Sequence, residues 1–185
     1  MIIKEKDREM FLRTMKDMGQ TPEVQAAVEL SAIAVYDYGF FKTIEKHEGL
    51  EKALAFHKDT WMRYVPEHIM EAKDLLGIET IKNMHDIGRV IRYSFEVRGC
   101  IFNIVEDTPE RFIGEITRSV LCEYCIESLG EKRGSPYLKS LAAIEKSLVS
   151  GFINEAGLSE SVEAEIDKNM CLGDDKTRII LRRKI

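Results

Sequence analysis

The first part of the chain spaces its apolar residues as helices do. Residues 4–19 place methionine and leucine side chains among charges, which predicts a helix that stops at Gly19. A second helix is expected from Pro22 to His47, because Thr21 can serve as its N-cap and proline is favoured in a first turn. Its middle is apolar on nearly every face, which indicates burial within the domain or at a subunit interface. We therefore expect a homodimer.

A third helix is predicted to begin at Leu50, after a glycine that ends the second. Pro66 should kink or divide this helix after Val65, because proline lacks an amide donor and clashes with the preceding turn. The helical pattern then resumes as far as Gly77, and a brief further helix is expected over residues 79–88. The whole N-terminal part, residues 1–88, is thus interpreted as a helical region of the same domain that also contributes to the dimer interface.

After residue 88 the spacing of the apolar residues changes from the helical period of 3.6 residues to the strand period of 2. Apolar and polar residues alternate from 89 to 98, which predicts a half-buried strand, and Gly99 suits a tight turn into a returning strand over 100–107. Thr108-Pro109-Glu110 has the pattern of a helix start, so residues 111–130 are expected to be helical. The region 89–185 is interpreted as an α+β, ligand-binding-like unit.

The rest of the chain predicts one more helix and a second hairpin. Residues 137–157 carry an apolar stripe with helical spacing, whereas 162–167 and 177–185 alternate as strands around a turn at Gly173. Acidic residues on the first of these strands face basic ones on the second. The predicted fold is therefore α+β. A helical N-terminal region is followed by an antiparallel sheet of about four strands, made of two hairpins with two helices between them.

Composition places the chain among ordinary globular proteins and excludes several partners. Hydrophobic residues make up 44% and charged residues 32%, and the net charge of −5 gives no reason to expect nucleic acid or an anionic membrane. The N-terminus is too charged for a signal peptide and no long apolar run occurs. We expect a cytoplasmic protein whose four cysteines are reduced.

The segment SVLCEYCIESLG raises the first question of chemistry. As a helix it would place Cys122 and Cys125 on one polar face together with Arg118. Thiols near arginine become better nucleophiles and metal ligands. A zinc or iron site would need further ligands, and no second short-spaced pair supplies them. Cys171, Cys100 or the scattered histidines could complete such a site only by converging in space. A simple helix face with free thiols is the favoured interpretation, and no cofactor is expected.

A second candidate site lies on the predicted third helix. His57, Trp61, Tyr64 and His68 are spaced by four, three and four, so they share one face. Such a face suits the wall of a small-molecule pocket, although amphipathic side chains of this kind also occur in ordinary packing. We place the expected pocket between this helix and the sheet, and add Arg118 as a further ligand-binding candidate. Signatures of dinucleotide, P-loop and serine-hydrolase sites are absent from the sequence.

From Arg111 onward the chain resembles the L-2-amino-thiazoline-4-carboxylic acid hydrolase-like proteins. The resemblance rests on ITRSVLCEY, on the Gly151-Phe152-x-Asn154 element and on the turn at residues 173–175, and the helical half is similar to a related family. It implies a ligand-binding fold related to vinyl-reductase-type sensor domains. It also implies hydrolytic opening of a small ring at a carbon–nitrogen bond. The family's cysteines lie where this chain has residues 142–143 and 176–178, which contain none.

Three functions follow from these observations. The first is a small-molecule binding or sensing domain. The second is a cysteine-dependent hydrolase, in which Cys122 or Cys125 would be the nucleophile and His57 or His68 the base. The third is a metal-binding protein that uses Cys122, Cys125 and Cys171.

Overall fold

The computed structural model describes residues 22–184, with side chains from residue 28 onward, so the helix predicted over 4–19 lies outside the described residues. Helices precede and interrupt a single four-stranded sheet. In chain order the elements are α1 Pro22–Glu48, α2 Leu50–Met62, α3 Val65–Leu76, α4 Met84–Glu96, β1 Cys100–Asp107, β2 Arg111–Ser119, α5 Val120–Glu127, α6 Pro136–Glu155, β3 Val162–Lys168, a 3₁₀ turn Met170–Leu172 and β4 Thr177–Arg183.

The N-terminal helices begin and end at the residues that punctuate the sequence. Gly49 separates α1 from α2 with a positive φ of 89°, and Gly77 ends α3 in the left-handed conformation. Pro66 occupies the first turn of α3, where its missing amide costs no hydrogen bond. The predicted division of the long helical stretch is confirmed, but the break lies at residues 63–64, before Val65 and not after it, so that Val65 begins α3.

The strand predicted over 89–98 is wrong, because residues 89–96 form the second half of α4 and residues 97–98 lie in the turn that follows it. Burial along α4 follows a helical period, with Met84, Ile87, Ile91 and Phe95 facing the core. Asn83 caps the helix by accepting a hydrogen bond from the amide of Asp86. The alternation seen from residue 89 onward was too short to distinguish a strand from one face of a helix. Helix α4 also crosses the boundary predicted between residues 88 and 89.

The helix predicted over 111–130 is wrong in its first half, which forms β2. Residues 108–110 make the turn between β1 and β2 instead of opening a helix, and the Thr108 hydroxyl accepts a hydrogen bond from the amide of Arg111. Burial alternates along β2, with Phe112, Gly114 and Ile116 turned to the core. The chain becomes helical only after Ser119, whose side chain caps α5.

The sheet has the order β1-β2-β4-β3 and is antiparallel throughout. The predicted α+β class is confirmed: two hairpins, β1–β2 and β3–β4, are separated by α5 and α6. Helix α4 packs on β1 and β2, and α6 packs on β3, so that these two helices cover one face. On the other face the expected cross-strand ion pairs form, Arg178 with Asp167 and Arg182 with Glu165.

Candidate functional site

An apolar cavity of about 670 Å³ opens among the helices, at the side of α1. Its walls come from α1, from the junction of α2 and α3, and from the connection between α4 and β1. The residues that line it are Leu30, Ile33, Tyr36, Asp37, Phe40, Thr60, Trp61, Tyr64, His68, Val97, Arg98 and Leu121. We call this space the outer cavity. Trp61, Tyr64 and His68, which the sequence predicted to share a pocket wall, all line it.

A second space of about 40 Å³ lies directly behind the outer cavity. Trp61, Arg98 and Leu121 line both spaces, so they form the shared wall. The other walls of this inner cavity belong to α4, α6, the facing ends of β1 and β2, and the 3₁₀ turn. The pocket predicted between the sheet and the Trp61 helix corresponds to this small space, whereas the larger volume lies among helices.

Arg98 is the cation of the shared wall. Its guanidinium carbon lies 5.1 Å from the centroid of the Trp61 ring. Burial lowers the pKa of Arg98, while the charge of nearby Glu145 raises it. In the part of the chain that the structure describes, no side-chain hydrogen bond or ion pair engages this guanidinium. The site therefore holds an arginine whose donors are unused.

The position of Arg98 follows from the turn that leads out of α4. Gly99 has a positive φ of 75°, and a Cβ there would lie 2.8 Å from Leu30 Cδ1 and 3.1 Å from Val120 Cβ. This connection is therefore pressed against α1 and the start of α5, which only glycine permits. The tight approach places the preceding arginine at the cavity wall.

His68 adds a second nitrogen-bearing side chain to the outer cavity. Its Nε2 atom is buried and has no hydrogen-bond partner in the described structure, while its Nδ1 atom lies 3.5 Å from Glu71. The ring stacks on Phe152, with 6.0 Å between the ring centroids. Burial, and then the charge of Arg98, lower the pKa of His68, so the neutral imidazole is favoured.

Glu145 is the carboxylate of the inner cavity. It accepts a hydrogen bond of 2.6 Å from Nδ2 of Asn169. Burial raises the pKa of Glu145 to about 7, and the Asn169 hydrogen bond and the charge of Arg98 offset part of that rise. This acid therefore changes charge near neutral pH.

His57 does not line either cavity; it belongs to a buried polar network centred on Asp37. The Asp37 carboxylate accepts hydrogen bonds from Tyr137 Oη at 2.6 Å, from His57 Nε2 at 2.9 Å and from Trp61 Nε1 at 3.0 Å. Because a carboxylate only accepts, Nε2 of a neutral His57 carries the proton and Nδ1 accepts from the Ser140 hydroxyl at 2.8 Å. The network joins α1, α2 and α6.

The serine and histidine of this hydrogen-bonded chain are enclosed by protein, whereas Asp37 reaches the wall of the outer cavity. His57 is 2% and Ser140 4% exposed, and Ser140 lines neither cavity. Both ring nitrogens of His57 are engaged, so neither is free to accept a proton from a cysteine thiol. The geometry gives His57 a role in joining the helices.

The cysteines lie in the core, contrary to the expectation of a partly wet polar face. Cys122 is 1% and Cys125 0% exposed. The predicted face does not exist because Arg111 and Arg118 belong to the strand before α5. Arg118 instead is exposed, pairs with Glu123 at 2.9 Å and lines neither cavity.

The structure divides the cysteines between two surroundings. Cys100, Cys122 and Cys171 line the inner cavity, whereas Cys125 is fully buried and lines neither cavity. Burial raises the pKa of Cys100 and of Cys125 to about 12 in each case. Residues 22–184 contain no group of three or more His, Cys, Asp or Glu side chains that could hold a metal ion.

Sequence reasoning missed Arg98, Asp37 and Glu145 as residues of the site. One of them carried a signal: Asp37 is a carboxylate in the apolar middle of α1, where a charge needs partners. Arg98 carried none, because the misassigned strand placed it among solvated charges. Cys100 and Glu145 are brought to the site only by the packing of β1 and α6.

Comparison with known proteins shows the fold and no family. No protein-family model matches the chain, and no curated protein matches it. Among solved structures, the chain is similar to a trafficking protein particle complex subunit 3 from Naegleria fowleri, solved covalently bound to palmitic acid. The TM-score is 0.57 at 14% identity, over 85% of this chain and 96% of that chain. No helix within residues 22–184 has the length and apolar character needed to cross a membrane.

Proposed function

We propose that this chain is a small-molecule binding domain whose ligand has an apolar body and one anionic end, as a fatty acid has. The apolar body would occupy the outer cavity and the anion would pair with Arg98. A binding or sensing role of this kind is the first of the three functions expected from the sequence.

The observation that carries the proposal is the unpaired guanidinium of Arg98 in an apolar wall. A buried charge is costly unless it is paired and hydrogen-bonded. Glu145 is the acid that acts on Arg98, yet the two form no ion pair within 4.0 Å. A ligand carboxylate that enters the outer cavity could accept the unused donors directly, in the forked geometry that arginine favours.

The shape of the outer cavity supports an apolar body. Its volume of about 670 Å³ falls within the usual range for small-molecule sites, roughly 300–1,000 Å³. Asp37 is the carboxylate on the α1 wall of the cavity, and it accepts hydrogen bonds from three side-chain donors, which offset part of its negative charge. The Naegleria fowleri subunit bound to palmitic acid supports the idea that a related fold can hold an acyl chain.

Trp61 makes the proposal testable without labels. It is the single tryptophan of the chain, and its ring lies in the shared wall beside Arg98. Titration with laurate and with palmitate should therefore give a saturable change of tryptophan fluorescence. Lauryl alcohol, which has the same apolar body without the charge, should bind about 10–100-fold more weakly than laurate, because a hydrogen bond to a charged group contributes about 1.5–3 kcal/mol.

A matched pair of variants separates the anion contact from general charge. Arg98→Gln should weaken laurate binding by about the same 10–100-fold and should make laurate and lauryl alcohol bind alike. Arg92→Gln removes a positive charge from the exposed face of α4, where Arg92 pairs with Glu96, and should leave both affinities unchanged. Urea unfolding of each variant checks that the fold is retained. Equal binding of laurate by wild type and Arg98→Gln would contradict the proposal, as would the lack of any saturable signal.

A further inference from the structure

One ring nitrogen of His68 has no partner in the part of the chain that the structure describes. This Nε2 atom is screened from solvent and makes no hydrogen bond, whereas Nδ1 of the same ring lies 3.5 Å from a carboxylate oxygen of Glu71. A buried polar atom without a partner is destabilising, and such atoms are few in folded proteins. Because His68 lines the outer cavity, a ligand in that cavity can supply the missing partner.

The contact with Glu71 decides which kind of hydrogen bond Nε2 can make. A carboxylate only accepts hydrogen bonds, so in the neutral imidazole the proton is carried by Nδ1, which faces Glu71. The Nε2 atom of that tautomer is an acceptor. Its partner in the cavity must therefore be a donor, such as a hydroxyl, and not a carboxylate oxygen. Burial, and then the charge of Arg98, lower the pKa of His68 and so favour this neutral form.

Two aromatic rings hold the imidazole in place without satisfying Nε2. The His68 ring stacks on Phe152, and its centroid lies 5.7 Å from that of the Tyr93 ring. Glu71 on the other side is more than half exposed, so its carboxylate can follow a movement of the ring. The χ2 torsion of histidine has a broad range, so a small turn can bring Nε2 to the cavity surface without a change of fold.

Arg98 and His68 offer different hydrogen-bonding groups to the same cavity. Arg98 presents only donors, which suit a carboxylate, whereas Nε2 of His68 presents an acceptor. The charge of Arg98 acts on the His68 ring, which indicates that the two groups meet the same end of a ligand.

We propose that the outer cavity selects a hydroxylated fatty acid, whose carboxylate pairs with Arg98 and whose hydroxyl, on one of the first carbons of the chain, donates to Nε2 of His68. This inference rests on the proposed function, since it takes the pairing of the anion with Arg98 as given. It narrows the ligand from any acid with an apolar body to one that carries a donor beside the acid. His68 is then a specificity-determining residue of the site.

The experiment titrates the native full chain with laurate and three hydroxylated forms of it, followed by the fluorescence of Trp61. At least one of 2-hydroxylaurate and 3-hydroxylaurate should bind about 3–10-fold more tightly than laurate, which is the gain expected from one neutral hydrogen bond. The control ligand, 12-hydroxylaurate, carries its hydroxyl at the far end of the chain and should bind no more tightly than laurate. This comparison requires no variant to fold.

Three single variants test whether His68 is the source of the preference. His68→Phe keeps an aromatic ring against Phe152 and removes the acceptor, so it should bind laurate and the preferred hydroxy acid alike. His68→Gln keeps an acceptor oxygen and should retain part of the preference. His47→Phe is the matched control, because His47 is exposed and lines neither cavity, and it should keep the wild-type preference. Urea unfolding of each variant checks that the fold is retained.

The outcomes separate this inference from the proposed function. If laurate binds and Arg98→Gln weakens it, but neither 2-hydroxylaurate nor 3-hydroxylaurate binds more tightly than laurate, the inference fails and the proposed function stands. A preference that persists in His68→Phe would overturn the inference as well. The lack of saturable binding by all four acids would overturn both.

Proton–nitrogen correlation spectra of the histidine rings provide a check that needs no ligand. At neutral pH the His68 ring should carry its proton on Nδ1 and none on Nε2. A proton on Nε2 would make this atom a donor, and the assignment of a hydroxyl as its partner would be wrong.

Discussion

The carboxylate of Asp37 should be the most costly side chain to remove from the polar network. Asp37→Ala deletes the acceptor for three side-chain donors, on His57, Trp61 and Tyr137. The network joins α1 to α2 and α6, so its loss should weaken the packing of the helix that forms one wall of the outer cavity.

The expected cost can be worked out from the burial of the donors. Tyr137 is 0% and His57 2% exposed, so their donors would be left without a partner at about 1–3 kcal/mol each. Trp61 is only half-buried and lines a cavity, so water can replace its acceptor at lower cost. We expect Asp37→Ala to lower the free energy of unfolding by about 3–5 kcal/mol. Asp37→Asn, which keeps one acceptor oxygen, should cost about 1–2 kcal/mol.

Urea unfolding, followed by circular dichroism and by Trp61 fluorescence, measures this difference. The matched control is Asp59→Ala, which removes an exposed carboxylate from α2 and should change the free energy of unfolding by no more than about 0.5 kcal/mol. A cost below about 1 kcal/mol for Asp37→Ala, with an unchanged denaturant slope, would show that the network does not hold the helices together.

Three further predictions concern charge, packing and assembly. The folded-state pKa of Glu145 is raised from 4.5 to about 7, so its contribution to stability is full below about pH 4.5 and is lost as pH rises through 7. Between about pH 4.5 and 7 the free energy of unfolding of wild type, measured in urea, should fall by up to about 3 kcal/mol more than that of Glu145→Gln. Parallel pH profiles of the two proteins would contradict this. Gly88→Ala should lower the free energy of unfolding in urea by about 1–2 kcal/mol, because the added Cβ would lie 2.6 Å from a phenylalanine ring of β2. Gly39→Ala, with open space around it, should raise the free energy of unfolding by up to about 1 kcal/mol. An unchanged free energy of unfolding in Gly88→Ala would refute the packing argument. Light scattering after size exclusion should show a homodimer at micromolar concentration. Val35→Glu, on the exposed side of α1, should dissociate this dimer. If Val105→Glu on the edge strand β1 dissociates the dimer and Val35→Glu does not, α1 is not the interface.

The success and failure of the fold prediction have separate physical causes. Glycines with positive φ and prolines in first turns act locally, which is why the ends of α1, α2 and α3 follow from the residues there. The β3–β4 hairpin was also predictable, since its alternation is bounded by clear turn residues. Residues 89–98 were predicted as a strand and residues 111–119 as a helix, and the structure shows the reverse for most of them. Short apolar runs and β-branched residues are compatible with either element, so the pattern alone could not decide. Packing of α4 on β1 and β2 decides between them.

The candidate site shows the same division at the level of side chains. Helical spacing alone placed Trp61, Tyr64 and His68 on one wall, because residues three and four apart on a helix are neighbours. Nothing local could place Arg98 beside Trp61, or Cys122 and Cys171 at one cavity, since these pairs come from elements separated by tens of residues. The sequence by itself determined the ends of α1, α2 and α3, the β3–β4 hairpin and the α+β class through backbone conformation and short-range patterns. Only the tertiary structure decided which buried polar side chains converge, because that depends on the close packing of distant apolar faces.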